Sequence, residues 1–304
     1  MNEFLGLVVN SLTEGFLYAV LALGVYITYS ILDFPDLSVD GTVPLGATVA
    51  AVLMLRGLNP WLATLAAFVV GAAAGCVTGL LHVKLKIRPL LCGILVMTAL
   101  LSVNLVIMKA GTDGGSTASL FNEPTIFNTL PVSVLPKYIG GYALRALILV
   151  IVLSVVSKLL LDWYFSTRSG MLLRATGSNE QFVTMLARNP GTSKIIGLAL
   201  GNGFAAVAGA AIAQNTQTAS LQIGPGMVVI GLASVIIGIS LLQKVRFMKA
   251  TTKVIVGAII YKACLTVADA FELSDWLKLI MAVLCVLALV FSNVMEKGRR
   301  PSRG

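Results

Sequence analysis

The sequence predicts an all-α fold, a polytopic transmembrane helix bundle of about nine spans, and three observations carry that prediction. Of 304 residues, 57% are hydrophobic and only 12% are charged, where a soluble domain carries about 25% charged residues. Apolar runs long enough to cross a hydrocarbon core of about 30 Å, at roughly 1.5 Å per helical residue, recur along the whole chain. Lys and Arg gather at the ends of these runs rather than along one exposed face, so the formal net charge of +9 reflects membrane orientation and implies no nucleic-acid partner.

The runs are Leu12 to Leu32, Val43 to Leu55, Trp61 to Val83, Leu90 to Met108, Tyr142 to Tyr164, Lys194 to Gln214, Met227 to Leu242, Thr252 to Ala270 and Trp276 to Met295. The second and seventh are short and read as broken, tilted or re-entrant, which leaves a count of about eight to ten. The opening MNEF is acidic where a secretory signal needs a basic region, so the first run is expected to be retained. Lys84, Lys86 and Arg88, then Arg168, Arg174, Arg188 and Lys194, then Lys244, Arg246, Lys249 and Lys253, and finally Lys297, Arg299, Arg300 and Arg303 all fall on one side of such a bundle. The positive-inside rule makes that side the cytoplasm and puts the N-terminus outside. The other side receives Arg56, Lys109, Lys137, Arg145, Lys278 and a loop from about 110 to 141, whose apolar patches around Leu120 and Val132 suggest a structured connection or an outer docking surface. The whole of 1–304 reads as a single domain.

Glycines are spaced for close helix packing. Gly71, Gly75 and Gly79 repeat every four residues on one face of the third run, and Gly197 and Gly201 do the same in the sixth.

The longest polar interruption runs from Trp163 to Lys194. Ser178 and Gln181 stand in capping-box spacing, which predicts a helix of about ten residues ending at Asn189-Pro190, half the length a span requires. Phe182, Met185 and Leu186 share one face of it, with Glu180, Thr184 and Arg188 elsewhere. Pattern alone leaves two readings open, an amphipathic helix resting on headgroups and a docking element for another protein.

Asp33, Asp36 and Asp40 crowd the junction LDFPDLSVDGTVP between the first two runs with no Lys or Arg beside them. Pro35, Pro44 and Gly41 favour a broken helix there, and free backbone survives at membrane depth only where protein or a water-filled cavity satisfies it. Asp36, Ser38, Asp40 and Thr42 are therefore expected to line the inner part of a pathway; an acidic turn capping two helix ends is the alternative. Asn104 and Asn202 sit inside apolar runs as pathway candidates or as hydrogen bonds between helices. Lys262, with Asp269 on roughly the same face, is read either as snorkelling or as part of a pathway.

The chemistry the chain lacks narrows the function. No GxxxxGK[ST] motif is present, so ATP hydrolysis by this chain is not expected. His82 has no HExxH partner, the four cysteines sit in apolar runs without CxxC spacing, and no GxSxG elbow occurs. No metal site, cofactor or catalytic residue is expected. A self-sufficient secondary transporter or channel stays open as a rival, and so does a scaffold without transport.

Gly170-Met171-Leu172-Leu173-Arg174-Ala175-Thr176-Gly177-Ser178-Asn179 resembles the GxxxRAxGxN signature of the ribose and branched-chain amino-acid ABC importer permeases. Pro35-Asp36-Leu37-Ser38-Val39-Asp40-Gly41-Thr42 is similar to the DLSVG turn of the sugar branch, and Ala206-Val207-Ala208-Gly209 resembles the AGLAG-type helix. The chain departs from the sugar branch after the seventh run, where Gly238-Ile239-Ser240 stands in place of a glycine pair. The strings DFPDLSVDGT, TGLLHVKLKIRPLLCGIL and MTALLSVNL look most like the tryptophan/tyrosine-type amino-acid importer permeases. The resemblance implies a homodimer around one pathway for a small-molecule substrate, an ATP-binding cassette subunit below, an extracytoplasmic substrate-binding protein or lipoprotein above, and residence in the bacterial inner membrane. It makes the helix after Asn179 the coupling helix, with Arg174, Gly177, Ser178, Asn179, Glu180, Phe182, Met185, Leu186 and Arg188 facing the ATPase. A sugar or nucleoside permease of the same superfamily is the alternative substrate class.

Overall fold

The computed structural model describes residues 2–112, 114–129, 144–185, 187–243, 245, 247–270, 279, 283, 286, 287 and 290. Among the described residues ten α-helices run in chain order: α1 (Asn2–Val25), α2 (Val39–Leu55), α3 (Pro60–Leu85), α4 (Pro89–Gly111), α5 (Leu144–Ser166), α6 (Arg168–Ser178), α7 (Glu180–Met185), α8 (Pro190–Thr216), α9 (Met227–Leu241) and α10 (Ala250–Ala270). Among the described residues seven helical segments are long and apolar enough to cross a membrane, and α2 is a shorter apolar helix. An all-α polytopic bundle is therefore what the chain forms. Eight of the expected runs coincide with these elements, and the run from Trp276 to Met295 lies outside the described residues apart from isolated helical positions.

Proline and asparagine set where several spans begin. Pro60, Pro89 and Pro190 occupy the first turn of α3, α4 and α8, where the missing N–H would have lacked a helical partner anyway. Asn59 and Asn189 accept backbone N–H bonds from Trp61 and Gly191 at 3.0 and 2.9 Å. At its far end α3 stops where Lys86 turns left-handed, with φ 54°.

Helix α8 is the axis of the bundle, with 72% of its most apolar stretch buried against 28% for α4 and for α5. The glycine ridge makes this possible. Gly71, Gly75 and Gly79 rest on the α8 backbone at Asn202, Leu198 and Ile195, so close that a Cβ at Gly71 would come within 2.7 Å of the Asn202 carbonyl oxygen. Membrane helices have little hydrophobic drive to associate, so such close backbone packing supplies the attraction instead.

The basic turns gather at one end of the bundle. One cleft there joins the end of α1 to α5, α6 and the start of α10, and a second joins the end of α3 to α7 and the start of α8. At the opposite end Thr117–Ser119 (β1) pairs antiparallel with Thr218–Ser220 (β2), which the all-α expectation did not include. Leu120 and Ile126, after β1, are fully buried, and Gln214 ties this segment to α3 by donating to Thr64 Oγ1 at 2.9 Å and accepting from Ile126 N–H at 2.9 Å. Val132 lies outside the described residues.

Three local expectations are corrected. The segment Arg168–Ser178, within the polar interruption and ahead of the expected helix, is itself helix α6, capped by Thr167, whose hydroxyl accepts from Gly170 N–H at 3.2 Å. The capping box at Ser178 does not form: Asn179 Oδ1 accepts from Phe182 N–H at 3.0 Å, and Ser178 Oγ instead donates back to the Ala175 carbonyl. Asn179 wins because Ser178 is still inside α6, where its hydroxyl is within reach of a carbonyl of the preceding turn. The following helix therefore spans six residues rather than about ten, and Asn189 starts α8 instead of ending α7.

Candidate functional site

The acidic junction is where the first span comes apart. α1 continues as a π-helix over Tyr26–Ile31, whose wider turn closes with Leu32 N–H on the Ile27 carbonyl at 3.0 Å. Asp33 then turns left-handed at φ 51°, and the chain runs without helix to the start of α2. Asp36, 5% exposed, folds back over this stretch. Its Oδ1 accepts from Ser38 N–H at 2.9 Å and from Ser38 Oγ at 2.6 Å, while Oδ2 accepts from Asn202 Nδ2 at 2.7 Å. Thr42 Oγ1 donates to Asn202 Oδ1 at 2.8 Å. Each hydroxyl has one proton, so the shorter contacts assign Ser38 to Asp36 and Thr42 to Asn202.

This ring joins the broken end of the first span to the central helix. Ser38, Thr42 and Asn202 are fully buried, and each polar group in the ring has a partner, which is what a carboxylate taken out of water requires. No basic side chain bonds Asp36 among the described residues.

Asp40 acts on a different helix end. Its carboxylate accepts from the N–H of Val228 at 2.8 Å and of Gly226 at 3.3 Å, so it caps the N-terminus of α9. Negative charge is favoured at that pole of a helix. The two short spans, α2 and α9, thus meet at their N-terminal ends, with a carboxylate of one closing the other. Pro44 sits in the second turn of α2 and denies the Asp40 carbonyl its helical N–H partner, leaving that carbonyl turned against Gly224. Asn104 donates to the Gly41 carbonyl at 3.0 Å, and its own Oδ1 is buried without a hydrogen-bond partner among the described residues. Asn104 and Asn202 both make hydrogen bonds between elements. Lys262 pairs with Glu14 at 2.7 Å and lies 4.2 Å over the Tyr18 ring; the Asp269 side chain lies outside the described residues.

The second group of expected residues sits at the basic end. α6 buries Gly170, Leu173 and Thr176, and its last turn presses Gly177 onto the Ile31 carbonyl and Leu32, an approach that any side chain at 177 would block. The signature glycine therefore seats α6 on the end of the π-helix. Arg174 lies 4.5 Å over the Phe165 ring and faces a cleft rather than α7. In α7, Val183 is fully buried and anchors the helix, whereas Phe182 and Met185 are 51% and 82% exposed. Glu180 pairs with Lys194 at 2.8 Å, Arg188 is exposed, and Leu186 lies outside the described residues. His82 packs edge-on against Phe34 and bonds the Ile87 carbonyl at 2.8 Å.

One cluster escaped the sequence reading. Asp162, near the end of α5, accepts from Thr251 Oγ1 at 2.8 Å and pairs with Lys158 at 3.1 Å and Lys249 at 3.2 Å, tying α5 to α10. An acid standing alone near the end of an apolar run was the available signal.

Residues 7–290 match the model of a family described as the permease component of the branched-chain amino acid transport system. The chain belongs to this family. Its members are permease components of ABC import systems, which as a class work with ATPase and substrate-binding partners, and the chain is a multi-pass membrane protein. A tyrosine transport system permease protein of Clostridioides difficile (strain R20291) is 39% identical over 288 residues, covering 94% of this chain and 92% of that one. A fructose import permease protein of Bifidobacterium longum is 26% identical, covering 93% and 77%. A ribose import permease protein of Escherichia coli (strain K12) is 26% identical, covering 93% and 84%. These relatives are named as transporter components, not enzymes. No solved structure gives a significant match.

Proposed function

We propose that this chain is the transmembrane subunit of an ABC importer for an amino acid, with an aromatic amino acid such as tyrosine as the best candidate. The observation that carries the substrate class is the 39% identity to a tyrosine transport permease along nearly the whole of both chains. The 26% identity to ribose and fructose permeases keeps a sugar as the second reading. Two copies would form one pathway in the bacterial inner membrane, as a single permease domain with about nine spans. The basic end faces the cytoplasm, which puts the C-terminus inside and the N-terminus outside. A separate ATPase binds at that end, and a substrate-binding protein or lipoprotein delivers solute to the end carrying β1 and β2.

The ATPase seats on α7, the coupling helix, with Phe182, Met185 and Leu186 in a groove of its surface and Glu180, Arg188, Ser178 and Asn179 beside them, while Arg174 and Gly177 lie on the bundle side of α6. Two exposed apolar side chains on a six-residue helix, braced by a buried Val183, support this reading. Motion of α7 would pass to α6, from Gly177 to the Ile31 carbonyl, and so to the turn held by Asp36. Asp36, Ser38, Thr42 and Asn202 then act by holding the shape of the inner gate, while Asp40 and Asn104 fix the ends of α9 and α2 around it. Selectivity comes mostly from the binding protein.

The test is reconstitution of the chain with its ATPase and binding protein in vesicles. Uptake of labelled tyrosine that needs ATP and the binding protein is the expected result. Uptake driven by an ion gradient without ATP would refute the proposal, and uptake of ribose in place of tyrosine would select the second reading.

A further inference from the structure

At the basic end, the π-helix, α5, α6 and the start of α10 enclose a cleft of about 690 Å³. The volume falls within the range of about 300 to 1,000 Å³ typical of small-ligand sites. Its charges are of two kinds. Asp162 is already neutralised by Lys158 and Lys249 and bonded by Thr251. Arg174 and Asp33 are not: among the described residues neither makes an ion pair, although both line the cleft and carry opposite charge. Arg174 is held against the Phe165 ring at 4.5 Å, which fixes the guanidinium without using its forked donors. Asp33 is exposed on a left-handed turn at φ 51°, just past the π-helix. The buried Tyr26 and Phe165 rings form part of its wall, and Ser30, Ser166 and Ser178 also line it.

We propose that this cleft binds a free amino acid, with the carboxylate on Arg174 and the ammonium group on Asp33, and that occupancy slows the importer. A planar guanidinium with free donors matches a carboxylate in two-pronged fashion, and an unpaired carboxylate matches an ammonium group. A single ligand satisfying both charges would tie α6 to the turn that follows the π-helix. Those are the elements that must shift against each other if α6 drives the gate, so the bound amino acid locks them. Facing the cytoplasm, the site would report accumulated product. The regulatory part rests on the importer reading above, whereas the binding part does not.

Two measurements separate them. Binding of radiolabelled tyrosine to the chain alone in nanodiscs tests the site whatever the importer carries. Saturable binding is expected, competed by phenylalanine but at least tenfold more weakly by tyrosine amide or N-acetyltyrosine, each of which lacks one charge. Asp33→Asn and Arg174→Gln should each weaken binding at least tenfold with the thermal unfolding midpoint retained, and the analogue comparison needs no variant at all. Absent binding, or binding indifferent to both analogues and both variants, overturns the site. In the complete importer with saturated binding protein, excess free tyrosine should lower ATP hydrolysis at least threefold in wild type and less in Asp33→Asn. Tyrosine-stimulated hydrolysis that excess tyrosine leaves unchanged overturns the regulation while the importer reading stands.

Discussion

The junction around Asp36 and the segment around α7 invert each other. Deep in the bundle, a carboxylate, two hydroxyls and an amide are shut away from solvent and satisfy one another. At the basic end, Phe182 and Met185 stand out from a short helix with no covering surface among the described residues. Buried polarity with every bond made is a finished structure, whereas the exposed apolar side chains on an anchored helix are what the proposed ATPase interface would cover. Substitutions at the first should damage the fold or the gate, and substitutions at the second should damage only assembly.

The sharpest way to break that contrast is Asn202→Leu. It removes the donor to Asp36 Oδ2 and the acceptor for Thr42, stranding a buried charge, and the expected loss is about 3 to 5 kcal/mol. Thermal unfolding in nanodiscs reads it as a large fall in midpoint; an unchanged midpoint would mean that the junction is not a structural unit. Asp36→Asn and Asp40→Asn keep the volume but weaken charge-assisted bonds worth about 1.5 to 3 kcal/mol. Both should lower uptake more than they lower complex assembly or basal ATP hydrolysis, measured by co-purification and phosphate release.

At the other region, Phe182→Ala with Met185→Ala should leave the chain's own stability within about 0.5 kcal/mol of wild type, because neither side chain is buried. Association with the ATPase should weaken by about 1 to 4 kcal/mol, the usual cost of truncating an interface anchor. Equal co-purification by wild type and double mutant would return α7 to the role of a helix lying on headgroups. The smallest effect belongs to the half-exposed Glu180–Lys194 pair, for which Lys194→Ala should cost at most about 1 kcal/mol and less at high salt.

The two regions also differ in how well the sequence revealed them. The break at the junction was legible because acids, prolines and a glycine inside an apolar setting have few physical explanations. Its partner was not: nothing local pairs Asp36 with Asn202, 166 positions away. The glycine ridge on α3 was legible from spacing, since one helix face needs no knowledge of the neighbour. α6 was missed because two glycines among its eleven residues weaken its helix propensity, and the cap was misplaced because Ser178 and Asn179 are adjacent and both competent. Pairing β1 with β2 joins two loops about 100 residues apart through three residues each, too little for any pattern to show.

In the proposed importer the Asp36 turn shapes the gate that the α6–α7 segment drives. The most direct test measures ATP hydrolysis and labelled solute uptake together, in the same vesicles, for wild type and Asp36→Asn. Hydrolysis within about twofold of wild type and uptake at least tenfold lower are expected, because the drive is intact and the gate is not. Uptake that stays at the wild-type level, or that falls only in proportion to hydrolysis, would contradict it.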